Sequence, residues 1–143
     1  MPGKGNFLPF ALCVMAFLAI YLVVRLPDVH TDARAFHLAA PEMYLLEHRI
    51  FIERWNFEWH TPMAMEMLFM LGWSLGGVVA AKMFNLALVL MTALFLGAAS
   101  RGIWGGKNPG RGWWEAFLFL STGLLLALAS DAKNDIAMAA YGV

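Results

Sequence analysis

Charge is scarce in this chain, and neither sign prevails. Of the 143 residues, ten are Lys or Arg and ten are Asp or Glu, so the formal net charge is zero and charged residues make up only 14%, against roughly 25% in soluble domains. Without a basic surplus, we expect no nucleic-acid partner. Cysteine is almost absent as well: Cys13 stands alone, so an internal disulfide is excluded and the thiol is assigned no role.

The chain is instead unusually rich in apolar residues. They form 61% of the chain, and the mean hydropathy is +0.64. A chain this short still exposes about a third of its unfolded surface after folding, so it cannot hide that much apolar side chain in its own core. The composition predicts an all-α, polytopic membrane protein, a single membrane domain surrounded by lipids.

Three apolar runs are candidates for membrane spans. The first covers 7–26, where about 20 helical residues would rise about 30 Å, the thickness of the hydrocarbon core. No small-residue cleavage site follows it, so we interpret it as a retained anchor rather than a signal peptide. The other two are 78–99 and 113–130. Residues 131–143 are expected to form an outer segment and the start of a returning fourth helix, which is too short to span.

Basic residues set the expected orientation. The loop 100–112 contains three of them and no carboxylate: Arg101, Lys107 and Arg111. By the positive-inside rule this loop should be cytoplasmic, together with Lys4 near the N-terminus. Residues 27–77 would then form an outer loop with amphipathic helices at the membrane surface. The expected location is the bacterial inner membrane.

The outer loop has a helical pattern of its own. Pro41 suits the first position of a helix running to about His48, with Tyr44, Leu45 and Leu46 towards apolar material. Residues 62–75 are expected to form a second helix, lying at the outer surface or partly immersed. Three glycines supply a bend before the next span: Gly72, Gly76 and Gly77.

Two acids stand at the outer ends of expected spans, Asp32 and Asp135. Two carboxylates at one water–lipid boundary could hold a divalent cation through oxygen ligands. One of them could instead take a proton from a hydroxyl acceptor. The alternative is that both are ordinary solvated charges, with Asp32 favoured by a helix N-terminus.

Histidine and glutamate provide the remaining candidates. The histidines lack HxxxH or HExxH spacing, which argues against a zinc site; any one could ligate a tetrapyrrole, and a surface imidazole is the default. They are His30, His37, His48 and His60. Glu66 is the one acid in "PMAMEMLFML". If this segment is immersed, Glu66 should be partnered or functional; at the surface it would point to water.

Three stretches resemble the N-terminal part of a known family. They are "TDARAFHLAAPEMYLLEHRI", "WNFEWHTPMAMEMLFMLGWSLGGVVAAKMFN" and "DAKNDIAMAAYGV". They are similar to bacterial C-type-fold glycosyltransferases, polytopic membrane enzymes that use polyprenyl-phosphate sugars as donors, such as the dolichyl-phosphate-mannose protein mannosyltransferases. The matching positions are Asp32, Phe36 to Leu38, Pro41, Pro62, Met63, Met65 to Leu68, Asp135, Ala137, Ala139 and Tyr141.

The resemblance implies roles for particular residues. Asp32 would be the catalytic base, and Asp135 a carboxylate of a metal or phosphate site, so a divalent cation would bind at Asp32 and Asp135. His37 and Glu66 fall inside matched motifs. The chain departs from the family at Phe36, where the family has Tyr, and in length, since family members are three or four times as long.

Two functions are therefore expected as alternatives. The first is a catalytically incomplete relative that serves as an accessory subunit, packed against other transmembrane subunits of a respiratory or photosynthetic complex, with lipid or pigment in its grooves. Small residues suited to close helix approach favour it: Gly72, Gly76, Gly97 and Gly123. The second is the N-terminal part of an active glycosyltransferase, moving a sugar from a polyprenyl-phosphate donor to an acceptor at the outer face.

Overall fold

The computed structural model describes residues 7–27, 33–51, 59, 64–103 and 110–123. Within these residues the secondary structure is helical and there is no β-strand, so the all-α prediction is confirmed for this part of the chain. The elements in order are α1 (Phe7–Val24), a π-helical turn (Ala33–His37), α2 (Ala39–Glu47), α3 (Ala64–Ile103) and α4 (Arg111–Leu120).

Two of the described helices, α1 and α3, are long and apolar enough to cross a membrane. α1 has 18 residues and no charge, and Arg25 follows it directly. Pro9 lies in its first turn, where a helix tolerates the missing N–H. α4 has ten residues, and the expected span 113–130 extends beyond the described residues.

α3 is broken at two glycines. Gly76 has φ −170° and ψ 25°, and Gly77 has φ 74° and ψ −163°; the latter is a conformation that only glycine adopts readily. Without the break, the 40 residues of α3 would be about 60 Å long, twice the thickness of a hydrocarbon core. The break divides it into a short arm, 64–75, and a long arm, 78–103, and confirms the predicted bend at these two positions.

The two arms meet closely at Gly72. A Cβ placed on Gly72 would lie 2.5 Å from the Ala81 Cα, closer than real contacts allow. The backbone of the short arm therefore rests directly on the start of the long arm. At Gly72 the close helix approach expected of a small residue is therefore made within this chain.

α1, the long arm of α3 and α4 form a bundle whose helices alternate in direction. At one end the ring centroids of Phe10 and Trp113 are 5.0 Å apart. At the other end Lys82, near the start of the long arm, reaches the Leu26 carbonyl just after α1. The core between the three helices contains Cys13, Ile20, Val24, Leu86, Val89, Ala93, Ala116 and Leu120.

α3 and α4 cross at a pair of glycines. A Cβ on Gly97 would lie 2.6 Å from the Gly112 carbonyl oxygen, and a Cβ on Gly112 would meet the Gly97 carbonyl. Gly97 thus allows close helix approach as predicted for its residue type, but the approaching helix is α4 of the same chain rather than a partner.

α2 packs against the short arm of α3 through one face. Ala40, Pro41 and Tyr44 are buried on it, and the Tyr44 ring meets Trp59 edge-on, with ring centroids 5.7 Å apart. Leu46 is 68% exposed, because two residues beyond Tyr44 a helical side chain points away from the face that packs on the short arm; its orientation towards lipid stays a prediction. The helix starts at Ala39, two residues before the predicted start.

Candidate functional site

A buried carboxylate and a histidine meet where the π-helical turn contacts the short arm of α3. His37 ends the π-helical turn and Glu66 lies in the first turn of α3. The His37 Nδ1 atom is 2.6 Å from Glu66 Oε1, and the two side chains are 20% and 5% exposed. The interpretation of Glu66 as a surface acid pointing to water is therefore wrong.

The hydrogen bond between His37 and Glu66 determines which ring nitrogen of His37 can accept a proton or bind a metal. An ionised carboxylate only accepts hydrogen bonds, so with Glu66 ionised the Nδ1 atom of His37 carries the hydrogen and donates it. In the neutral imidazole, Nε2 is then an acceptor. A histidine held by a carboxylate in this way is suited to accept a proton or bind a metal through its second nitrogen.

Tyr44 is electrostatically coupled to the same carboxylate. Burial, together with the negative charge of Glu66, raises the pKa of the Tyr44 phenol above its ordinary value. Both effects disfavour the phenolate, so Tyr44 is a neutral hydroxyl at physiological pH. Three titratable side chains, from the π-helical turn, α2 and α3, therefore lie in one region of the structure.

Lys82 is a second buried ionisable group, and it was not among the site residues predicted from the sequence. It is 0% exposed, and its Nζ atom donates a hydrogen bond of 2.6 Å to the Leu26 carbonyl oxygen. Asn85, three residues further on α3, is also fully buried. The signal that could have indicated Lys82 is its place in the middle of an apolar run, since buried charge in such a run is costly and usually serves a purpose.

A cleft of about 490 Å³ opens beside these groups. It lies between the end of α1, the π-helical turn, the start of α2 and the break in α3. Its lining comprises Arg25, Leu26, Pro27, Arg34, Leu38, Glu42, Trp73, Val78 and Val79. Arg25 and Arg34 are both exposed, and among the described residues neither guanidinium forms an ion pair with a carboxylate.

The other candidate residues fall in two groups. Asp32, Asp135, His30 and His60 lie outside the described residues, so the divalent cation expected at the two aspartates stays a prediction. His48 ends α2 in a left-handed conformation and is exposed, in accord with a surface imidazole. Within the described part of the chain, no three His, Cys, Asp or Glu side chains lie close enough together to hold a metal ion.

No protein-family model, curated protein or solved structure matches this chain. The resemblance to C-type-fold glycosyltransferases consequently rests on the quoted motifs alone.

Proposed function

We propose that the chain is a multi-pass protein of the bacterial inner membrane that acts as an accessory subunit, packing its apolar faces against transmembrane helices of a larger assembly. The observation that carries this proposal is the exposed apolar surface of its two longest helices. Met15 and Leu22 on α1 are 66% and 63% exposed, and Met91 and Phe95 on α3 are 65% and 56% exposed. In water such faces would cost roughly 25 cal/mol per Å².

An apolar groove supports protein partners in addition to lipid. It has a volume of about 260 Å³ and runs between α1, the long arm of α3 and α4, and the described residues that line it are all apolar. Among the residues that line it are Val14, Leu18, Leu90, Leu94 and Trp113. A groove bounded by three helices suits a protruding side chain of a neighbouring helix, because association in membranes depends on close packing.

The proposed orientation follows from where the bundle puts its charges. Arg101 and Arg111 lie at the end of the bundle where α1 begins, since Gly97 contacts Gly112 and Phe10 contacts Trp113. This end would face the cytoplasm. Arg25, the π-helical turn and α2 lie at the other end and would face outwards.

Purification in a mild detergent tests the accessory role. The tagged protein should run as a complex with a stoichiometric partner that mass spectrometry identifies. Replacing Leu94, which is 49% exposed and lines the groove, by Trp should fill the groove and release the partner. The matched control Leu8→Trp changes a 60% exposed residue of α1 outside the groove and should retain the partner. A wild-type protein that runs as a single chain would disprove the role.

A second candidate function, glycosyl transfer from a polyprenyl-phosphate sugar, is favoured by the buried His37–Glu66 pair. Ionisable groups buried at a membrane boundary are more often functional than structural. Glu66 anchors the π-helical turn that directly follows Asp32 in the sequence. In this proposal Asp32 takes the proton from the acceptor hydroxyl, and the pair holds the segment that carries it.

Sugar transfer in membranes that contain the protein tests this second function. With a labelled polyprenyl-phosphate sugar as donor, Asp32→Asn should abolish transfer without changing the amount of protein in the membrane. Asp28→Asn, four residues earlier, is the matched control and should leave transfer intact. Transfer that survives Asp32→Asn would remove this aspartate from the mechanism.

A further inference from the structure

We propose that the cleft beside the α3 break binds the phosphate headgroup of an anionic phospholipid, with one acyl chain of that lipid lying along α1. This inference rests on the membrane location proposed above, and it is independent of both the accessory role and glycosyl transfer. The occupant is identified from the charge of the cleft, from the level of the cleft in the bilayer, and from the apolar surface that continues from it.

The charge of the cleft suits a phosphodiester. Arg25 and Arg34 stand on different segments that line it, and Glu42 is the one acid among the described residues of the lining, so this described lining has a net positive charge. No ion pair joins Glu42, or any other described carboxylate, to these arginines. Arginine guanidinium groups bind phosphate oxygens through two parallel hydrogen bonds, a geometry that lysine does not provide.

In a bilayer the cleft would lie at the level of the lipid phosphates. Arg25 is the first residue after the 18-residue apolar helix α1, so in a bilayer it lies at the boundary of the hydrocarbon core, beneath the headgroups. Trp73, from the short arm of α3, also lines the cleft. Tryptophan at this level is typical of the membrane interface, where its apolar ring and its N–H are both accommodated.

Below the cleft, a stripe of leucines favours a lipid over a free anion. Leu18, Leu22 and Leu26 follow one another at four-residue spacing on one face of α1 and its extension, and they are 51%, 63% and 59% exposed. Leu26 also lines the cleft. A headgroup bound to the arginines would place its acyl chain along this stripe, whereas inorganic phosphate would gain nothing from it.

Lipid binding to the delipidated protein in detergent tests the inference. Native mass spectrometry with added phosphatidylglycerol or phosphatidylcholine should show preferred retention of phosphatidylglycerol. Each arginine near a membrane surface is expected to contribute about fivefold in affinity, so the double variant Arg25→Gln/Arg34→Gln should lose about 25-fold. The matched control Arg49→Gln changes an arginine that is 70% exposed outside the cleft and should retain the preference.

Four results would overturn the inference. A separate extraction experiment tests the membrane location on which it rests. Equal binding of the two phospholipids, an unchanged preference in the double variant, competition by inorganic phosphate as effective as by phosphatidylglycerol, or stronger binding of a polyprenyl phosphate would each contradict it. Circular dichroism should show unchanged helicity in all variants. Release of the wild-type protein from membranes by alkaline carbonate would disprove the membrane location itself, whereas retention without lipid preference would disprove only the lipid site.

Discussion

His37 Nδ1 lies 2.6 Å from Glu66 Oε1, although the two residues are 29 positions apart in the chain. The contact joins the π-helical turn to the first turn of α3, and it is reinforced by apolar packing of Leu38 against the same helix at Met65 and Phe69. The π-helical turn is thus attached to the short arm of α3 by a hydrogen bond to the Glu66 carboxylate, next to apolar packing. The first prediction concerns the strength of this attachment.

Replacing Glu66 by Ala should lower the free energy of unfolding by about 2 kcal/mol, because it removes a buried hydrogen bond to a charged group and leaves His37 without this acceptor. Denaturant unfolding in detergent, followed by circular dichroism, measures the change. Glu47→Ala is the matched control: Glu47 is 48% exposed and meets Arg49 at 3.7 Å, so its loss should cost less than about 0.5 kcal/mol. Similar losses for the two variants would contradict the buried role of Glu66.

Tyr44 should ionise at a higher pH than a free tyrosine. Burial and the Glu66 charge raise its pKa above 10.0, so the folded state binds the phenol proton more tightly than the unfolded state. The resulting stabilisation is fully present below about pH 10 and is lost as the pH rises through the folded pKa. Absorbance at 295 nm measures the ionisation, and the difference between wild type and Tyr44→Phe isolates this residue. A midpoint of that difference at or below 10 would refute the prediction.

Lys82→Met should loosen the contact between α1 and α3. Methionine fills a volume close to that of the lysine stem but has no donor for the Leu26 carbonyl, so a hydrogen bond to a charged group is lost, at about 2 kcal/mol. Thermal unfolding in detergent measures the loss. Met91→Leu on the same helix is the control, since Met91 is 65% exposed and the change should be nearly neutral. An Lys82→Met protein as stable as wild type would show that the buried ammonium does not stabilise the bundle.

Gly97→Ala should separate α3 from α4. The new Cβ would lie 2.6 Å from the Gly112 carbonyl oxygen, which is backbone and cannot swing aside, so the helices must move apart at a cost of about 2 kcal/mol. Gly102→Ala, five residues further on the same helix, meets nothing within 4 Å. It should be neutral or stabilise by up to about 1 kcal/mol, because alanine favours helix. The two variants are compared by denaturant unfolding, and equal stability would disprove the close crossing.

Much of the fold could be predicted from local patterns. Apolar runs predicted helices, and adjacent Gly76 and Gly77 predicted the bend, because both are properties of neighbouring residues. The His37–Glu66 pair could not be predicted as a pair, since nothing in the spacing of two residues 29 positions apart indicates that they meet. The same limit applies to Gly72 and Gly97: small residues predict close approach, but not which helix approaches.

Lys82 donates its hydrogen bond to the main-chain carbonyl of residue 26 rather than to a side chain. Any amino acid at position 26 presents that carbonyl, so substitutions there leave the acceptor in place, while position 82 must keep a long side chain that ends in a donor. Paired substitutions between the two positions are therefore not expected among related sequences. A contact map inferred from residue covariation would miss this link between the first helix and the third.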